Sequence, residues 1–294
     1  MHFERRYRYA DLRRPRFRPI PVRMLVPNVI TLLAICAGLT AIRLSTEGRM
    51  ELAVAAIVFA AVLDGLDGRV ARMIKGQSKF GAELDSLADF VNFGVAPGLI
   101  LYFWQLRELH DGGWIAAMVF AISGGLRLAR FNASIDDPNK PAFAASYFTG
   151  VPAPAGAVTA LLPIYLAFLG VFKPPAVVTA LYTLLIAFLM VSRLPVFSGK
   201  SVRMRVPPEL VLPVFVAVIF FIALLIGYPW HILSAGSVIF LLSLPLGWKS
   251  YRDQARAAQL AAAPAAGAAQ AAPAPPYAPA VTDASEDDRP ERLH

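Results

Sequence analysis

The stretch Asp64–Asp89, DGLDGRVARMIKGQSKFGAELDSLAD, sits between two strongly apolar runs and crowds Asp64, Asp67, Glu83, Asp85 and Asp89 together. A carboxylate at the centre of a membrane helix costs about 3 kcal/mol and ordinarily faces a polar cavity. The surroundings of the stretch therefore decide its reading. The chain is 57% hydrophobic and only 16% charged, with a mean hydropathy of +0.55. Soluble domains carry about 25% charged residues, so this composition places the chain among membrane proteins.

Working outward, apolar runs of spanning length, roughly 20 residues each, recur along the whole chain. Eight are expected, near 25–45, 51–72, 80–104, 113–132, 151–171, 175–192, 208–227 and 230–248, the second to fourth carrying charge at one end. The predicted fold is an all-α polytopic membrane protein. The single cysteine, Cys36, cannot form an intramolecular disulfide or a Cys-rich metal site; it is expected to be a small packed residue. About two dozen Arg-rich residues precede a long first apolar run, which does not resemble a cleaved signal peptide.

The net charge of +8 sorts by position. Arg5, Arg6, Arg8, Arg13, Arg14, Arg16, Arg18 and Arg23 precede the first span. With that end in the cytoplasm, Arg69, Arg72, Lys75, Lys79, Arg127, Arg130, Lys140, Arg193, Lys200, Arg203 and Arg205 fall on the same side. The opposite loops keep Arg43, Arg49, Arg107 and Lys173. This asymmetry predicts both termini in the cytoplasm. It accounts for the basic excess as topology and contact with anionic lipid, without a nucleic-acid partner. Residues 1–24 alternate Arg with aromatic and aliphatic residues, and either lie on the membrane surface or form a solvated tail. Residues 206–250 are expected to add a helix pair, and 251–294 a cytoplasmic tail, disordered from about 261, where Ala and Pro dominate.

Within the central stretch, Asp64 and Asp67 are three apart at the foot of one predicted helix, and Asp85 and Asp89 four apart at the start of the next. Each pair therefore shares a face. A tight turn through Lys75, Gly76, Gln77 and Ser78 brings the pairs together at the cytoplasmic interface. Four clustered carboxylates call for cations. Oxygen-only ligands select a hard divalent ion such as Mg²⁺ or Mn²⁺, with carboxylates enough for two. Gly68 and Ala71 strip bulk from the same surface, Gly81 does so on the facing helix, and Arg72 offers a planar fork to phosphate oxygens. Together these residues describe a diphosphate site. An interhelical salt-bridge cluster, the structural alternative, would not need the glycines.

The pattern Asp64-x-x-Asp67-Gly68-x-x-Ala71-Arg72, eight residues, Gly81-x-x-x-Asp85-x-x-x-Asp89 resembles, at every fixed position, the signature of the CDP-alcohol phosphatidyltransferases. The resemblance covers roughly residues 25–205 and implies a six-helix core, commonly dimeric, that takes a CDP-lipid donor. It implies that Asp64, Asp67 and Asp85 bind metal, and that Asp89 binds metal and acts as the base. Gly68 and Arg72 would contact the cytidine diphosphate, and Ser78 would lie near the nucleotide. Pro27-Asn28-Val29-Ile30-Thr31 resembles the family's first-helix element, placing Asn28 and Thr31 in the pocket. As a purely structural reading, Pro27 and Asn28 start a helix and Thr31 packs within it.

The segments Leu84–Pro97, Arg127–Asn132 and Phe148–Pro154 look like the phosphatidylserine synthase subfamily, with one departure: Asn92 stands where that subfamily usually carries Ser. The resemblance implies transfer of the phosphatidyl group from CDP-diacylglycerol to L-serine, giving phosphatidylserine and CMP. Arg127 and Arg130, near the end of the fourth span, and Asn132 are the candidate serine-binding residues; otherwise the arginines only mark the cytoplasmic boundary. The same transfer to glycerol 3-phosphate, an inositol phosphate or choline is the alternative. A phosphorylated acceptor would call for a denser basic cluster. A cation-coupled transporter would place its carboxylates nearer the midplane.

Overall fold

The computed structural model describes residues 22–134, 147–197 and 208–270. The Arg-rich segment before Val22 and the tail after Gln270 lie outside the described residues. Among the described residues ten helices follow in order: α1 (Val22–Thr46), α2 (Met50–Met73), α3 (Lys79–Asp89), α4 (Ala96–Trp104), α5 (Asp111–Ala133), α6 (Ala153–Ala160), α7 (Leu162–Phe168), α8 (Ala176–Val191), α9 (Pro208–Gly227) and α10 (Pro229–Gln270). A π-helical turn, Phe90–Val95, joins α3 to α4, and a 3-10 turn, Leu106–Leu109, precedes α5. The short strands β1 (Tyr147–Thr149) and β2 (Pro195–Phe197) pair antiparallel, with Phe148 opposite Val196.

Among the described residues, five segments are long and apolar enough to cross a membrane: Leu25–Thr46, Lys79–Trp104, Asp111–Ala133, Leu210–Gly227 and Pro229–Gln254. They make the chain a multi-pass membrane protein. The other three expected spans differ for separate reasons. Helix α2 has the length, but carries Glu51, Asp64, Asp67, Arg69 and Arg72. The expected span 151–171 is broken into α6 and α7, together Ala153–Phe168, and α8 has only 16 residues.

The break between α6 and α7 follows from Pro163, which has no N–H to return to the Thr159 carbonyl. The Tyr182 hydroxyl donates to that carbonyl at 2.8 Å, and the Tyr165 hydroxyl donates to the Val158 carbonyl at 2.9 Å. Two tyrosines thus satisfy acceptors that lipid could not. Trp230 of α10 stacks on Tyr165 and packs against Phe168, their ring centroids 6.3 and 4.7 Å away.

Small residues bring helices α4 and α5 together. A Cβ on Gly98 would stand 2.9 Å from the Ala117 carbonyl oxygen, and one on Gly124 would stand 3.0 Å from the Gly94 Cα. Apolar side chains gain little by leaving lipid, so close backbone approach supplies the packing. The sharp entry to α6 needs Gly150, whose φ is +78° and whose Cα faces the Met190 and Ser192 carbonyls. Ala53, Val54 and Ile57 of α2, Phe93, Ile100, Phe120 and Ile186 belong to the buried core.

At the end away from the Asp64–Asp89 turn, the buried Gln105 amide donates to the Pro174 carbonyl at 2.8 Å and accepts from the Thr179 hydroxyl at 3.2 Å. Gly48 and Phe168 meet at this same end. Two sequence readings need correction. Cys36 is exposed, not packed; in a membrane protein the apolar residues of an outer helix turn toward lipid, so a soluble-protein burial preference misleads. Pro27 lies inside α1 and does not start it. Helix α10 is described to Gln270, across residue 261 where the composition turns to Ala and Pro. A first compact unit ends at Tyr251 and a second begins at Arg252.

Candidate active site

The site is built where α1, α2 and α3 converge beside the 74–78 turn. Helix α2 ends at Met73, Lys75 takes a positive φ of 52°, and Ser78 caps α3 by accepting from the Gly81 N–H at 2.9 Å. This turn is what sets the two aspartate pairs face to face. A cavity of about 330 Å³ opens there, lined by Pro27, Asn28, Thr31, Asp67, Gly68, Ala71, Arg72, Gly76, Gln77, Ser78, Gly81, Ala82 and Asp85. Every expected nucleotide-lipid residue, Asn28, Thr31, Gly68, Ala71, Arg72, Ser78 and Gly81, is in that wall. Pro27, Gly76, Gln77 and Ala82 were not singled out; the two turn residues could have been, from their position between the pairs.

The two candidate glycines do different work. A Cβ on Gly68 would meet nothing within 4 Å, so its bare Cα faces open cavity. A Cβ on Gly81 would stand 2.8 Å from Asn28 Oδ1 and 3.1 Å from Ser78 Oγ. Gly81 therefore lets α1 approach α3 and seats Asn28, which is a protein–protein role. Thr31 ties α1 to α2: its hydroxyl lies 2.7 Å from Asp67 Oδ2 and 3.0 Å from the Pro27 carbonyl, with one proton to donate between them.

The carboxylates form two tiers. Asp67 and Asp85 face the cavity; Asp64 and Asp89, a turn further from the loop, do not line it. Oxygens of Asp64, Asp67 and Asp85 all lie within 4.8 Å of one another, close enough to converge on one divalent cation. The Asp64 and Asp89 side chains approach to hydrogen-bonding distance, which two carboxylates hold only with a proton or a cation between them. Asp85 Oδ1 and Asp89 Oδ1 are buried with no hydrogen-bond partner. Orphaned carboxylate oxygens in an all-oxygen donor set fit a hard divalent ion. Among the described residues the salt bridges join Arg43 and Arg49 to Glu47, and none reaches these aspartates. That weighs against the salt-bridge reading.

The three candidate acceptor residues on α5 separate. Arg127 is buried, its guanidinium over the Phe131 ring at 5.5 Å, and Asp89 is its electrostatic partner. Arg130 is exposed and donates to the Val191 carbonyl, holding the end of α8. Asn132 donates to the Ser86 hydroxyl at 2.9 Å, tying α5 to α3 between Asp85 and Asp89. Geometry thus brings Arg127 to Asp89 and leaves Arg130 and Asn132 as ties between helices. Helix spacing alone could not separate them, because 127 and 130 lie one turn apart.

A family model described as CDP-alcohol phosphatidyltransferase matches residues 24–192, and a second, CDP-alcohol phosphatidyltransferase 2, matches residues 209–245. Among curated proteins, the chain is 49% identical over 157 residues to a CDP-diacylglycerol–serine O-phosphatidyltransferase of Mycobacterium leprae, covering 53% of this chain and 52% of that one. It is 42% identical over 150 residues to the protein of the same name from Helicobacter pylori, covering 50% and 60%. With the Bacillus subtilis protein of that name it shares 37% over 148 residues, covering 48% and 80%. The chain spans about half the length of the mycobacterial relatives it matches.

Proposed function

The chain belongs to the CDP-alcohol phosphatidyltransferase family, and from that premise we propose that it transfers the phosphatidyl group of CDP-diacylglycerol to the hydroxyl of L-serine, releasing phosphatidylserine and CMP. The observation that carries this reading is the cavity at the α2–α3 turn, with the signature residues in its wall and the aspartate tiers behind it. Serine as the acceptor is supported by the names of the relatives in three bacterial genera.

Asp64, Asp67, Asp85 and Asp89 would hold the divalent metal, Mg²⁺ or Mn²⁺ and two ions by the number of carboxylates. When bound, the metal neutralises the diphosphate and the charge that develops on CMP. The protein's own groups do the rest. Gly68 leaves room for the diphosphate against α2, and Arg72 donates two parallel hydrogen bonds to its oxygens. Asn28 and Ser78 line the nucleotide end. Asp89 accepts the serine hydroxyl proton as that oxygen attacks the lipid-side phosphorus, the bond to the CMP oxygen breaks, and CMP departs as the anion. Arg127, facing Asp89, receives the serine carboxylate, with Arg130 and Asn132 shaping the entry.

The cavity opens in the cytoplasm, where nucleotide and serine are found, while the acyl chains remain in the bilayer; the membrane is the cell's inner, cytoplasmic membrane. Two copies associate as a homodimer, which light scattering on the detergent-solubilised protein would measure. The deciding experiment supplies the purified protein with CDP-diacylglycerol, Mn²⁺ and either serine, glycerol 3-phosphate, an inositol phosphate or choline. Phosphatidylserine and CMP in equal amounts are expected. A different lipid product would reassign the acceptor, and no transfer to any alcohol would overturn the reading.

A further inference from the structure

Asn92 lies in the π-helical turn directly after Asp89, and only 1% of it is exposed. Both its amide nitrogen and its amide oxygen are without a hydrogen-bond partner. Its side chain rests on the bare Cα of Gly38 in α1, where an added Cβ would stand 2.0 Å from Asn92 Oδ1. A buried amide with neither valence satisfied is costly where no water is available. Elsewhere in the core the buried side chains are mostly apolar, Phe93 and Ala60 among them. The protein therefore carries a matched pair, an amide and a notch cut to receive it, where a hydrocarbon side chain would pack at lower cost.

The neighbouring orphan suggests what the amide serves. Asp89 Oδ1, three residues earlier on the same helix, is likewise buried and unpartnered. Side chains three apart on a helix are neighbours. The π turn begins at Phe90, between the two, and in it the ladder widens, the Ala96 N–H reaching back five residues to the Val91 carbonyl. Such turns are frequent at functional sites, because they re-aim a side chain.

We propose that Asn92, seated in the Gly38 notch, is a positioning residue for Asp89. Its amide N–H serves Asp89 Oδ1 during turnover, so that the other carboxylate oxygen is aimed at the acceptor hydroxyl. A neutral donor does this without adding a charge that competes with the cation. The inference rests on the proposed role of Asp89 as base.

The test measures CMP release, CDP-diacylglycerol KM, Mn²⁺ binding by paramagnetic resonance, and thermal stability for the wild type and four variants. Asn92→Leu keeps the branched shape and loses the donor; its kcat should fall roughly ten- to hundredfold, as for a catalytic group displaced by a fraction of an ångström. Mn²⁺ binding and the CDP-diacylglycerol KM should stay at the wild-type values. Asn92→Ser, which keeps a donor, should recover much of the lost rate. Gly38→Ala should lose rate because its methyl evicts the amide, and Gly38→Ala/Asn92→Ser should regain it because the shorter side chain clears the methyl. Asn92→Leu with the kcat of an active wild type would overturn the proposal. So would a loss of rate shared equally by the Leu and Ser variants and tracking their melting temperatures, which marks packing alone. A wild type that releases no CMP with any alcohol would instead sink the assignment of activity.

Discussion

Asp64, Asp67, Asp85 and Asp89 differ in what each presents, and the difference sets their expected phenotypes. Asp67 and Asp85 face the cavity, and Asp64 completes the oxygen triangle behind them. Asp64→Asn, Asp67→Asn and Asp85→Asn should each abolish CMP release and weaken Mn²⁺ binding. Exhaustive chelation should silence the wild type, and activity surviving chelation would remove the metal from the mechanism. Asp89→Asn should instead depress kcat while CDP-diacylglycerol binding survives. The acceptor arginines can be tested the same way. Arg127→Lys keeps charge and loses the planar fork, so the serine KM should rise roughly ten- to hundredfold, the equivalent of about 1.5–3 kcal/mol. Arg130→Lys should act mainly on stability, because its guanidinium holds the Val191 carbonyl. A larger serine KM effect at Arg130 than at Arg127 would exchange their roles. Much of this site was legible in the sequence: spacings of three and four fix shared helix faces, and glycine beside aspartate announces close approach. What sequence could not give was which glycine faces ligand. Gly68 looks into open space, whereas Gly81 is filled by Asn28 from another helix, a contact across residues far apart in the chain.

At the scale of elements, composition named the helices but not their interruptions. The run 151–171 is continuously apolar, yet Pro163 divides it, and Tyr182, contributed by α8, makes the division tolerable. Tyr182→Phe should lower stability by about 0.5–1.5 kcal/mol, the net worth of one hydrogen bond, because a backbone N–H at the end of α6 still reaches the Thr159 carbonyl. Its effect on the serine KM should be small, because the break lies far from the aspartates. Unfolding in mixed micelles checks the first, and steady-state rates against serine concentration check the second. The 80–104 run likewise reads as one span but contains the π turn at Phe90–Val95. No propensity scale marks such a turn; it is set by what α3 and α4 must face on either side of it. Helix α4 meets α5 through Gly98, so Gly98→Ala, which would push against the Ala117 carbonyl, should destabilise the helix pair by about 1–3 kcal/mol. Cys36 failed for a related reason: apolar residues on α1 partition between core and lipid, and hydropathy is the same for both.

For the whole molecule, the two ends of the helix assembly carry different charge. Arg69, Arg72, Lys75, Lys79, Arg130 and Arg193 gather at the end that holds the α2–α3 turn. The other end, where Gly48, Gln105, Phe168 and Pro174 meet, has Arg43, Arg49, Arg107 and Lys173. Orientation follows the count of Lys and Arg in short loops, acidic residues contributing little. The end with the larger count should therefore face the cytoplasm. The nucleotide and amino-acid substrates of the proposed reaction are made there, so topology and the proposed chemistry make the same demand on one surface. The expectation can be checked in cells with a Cys36→Ser background and one cysteine at a time. Lys79→Cys should be protected from an impermeant thiol reagent in intact cells and react once the membrane is opened. Lys173→Cys, at the opposite end, should react in intact cells. Labelling of Lys79→Cys from outside, with Lys173→Cys protected, would invert the molecule. The cavity would then face a compartment without CDP-lipid turnover, and the proposed reaction would lose its substrate supply.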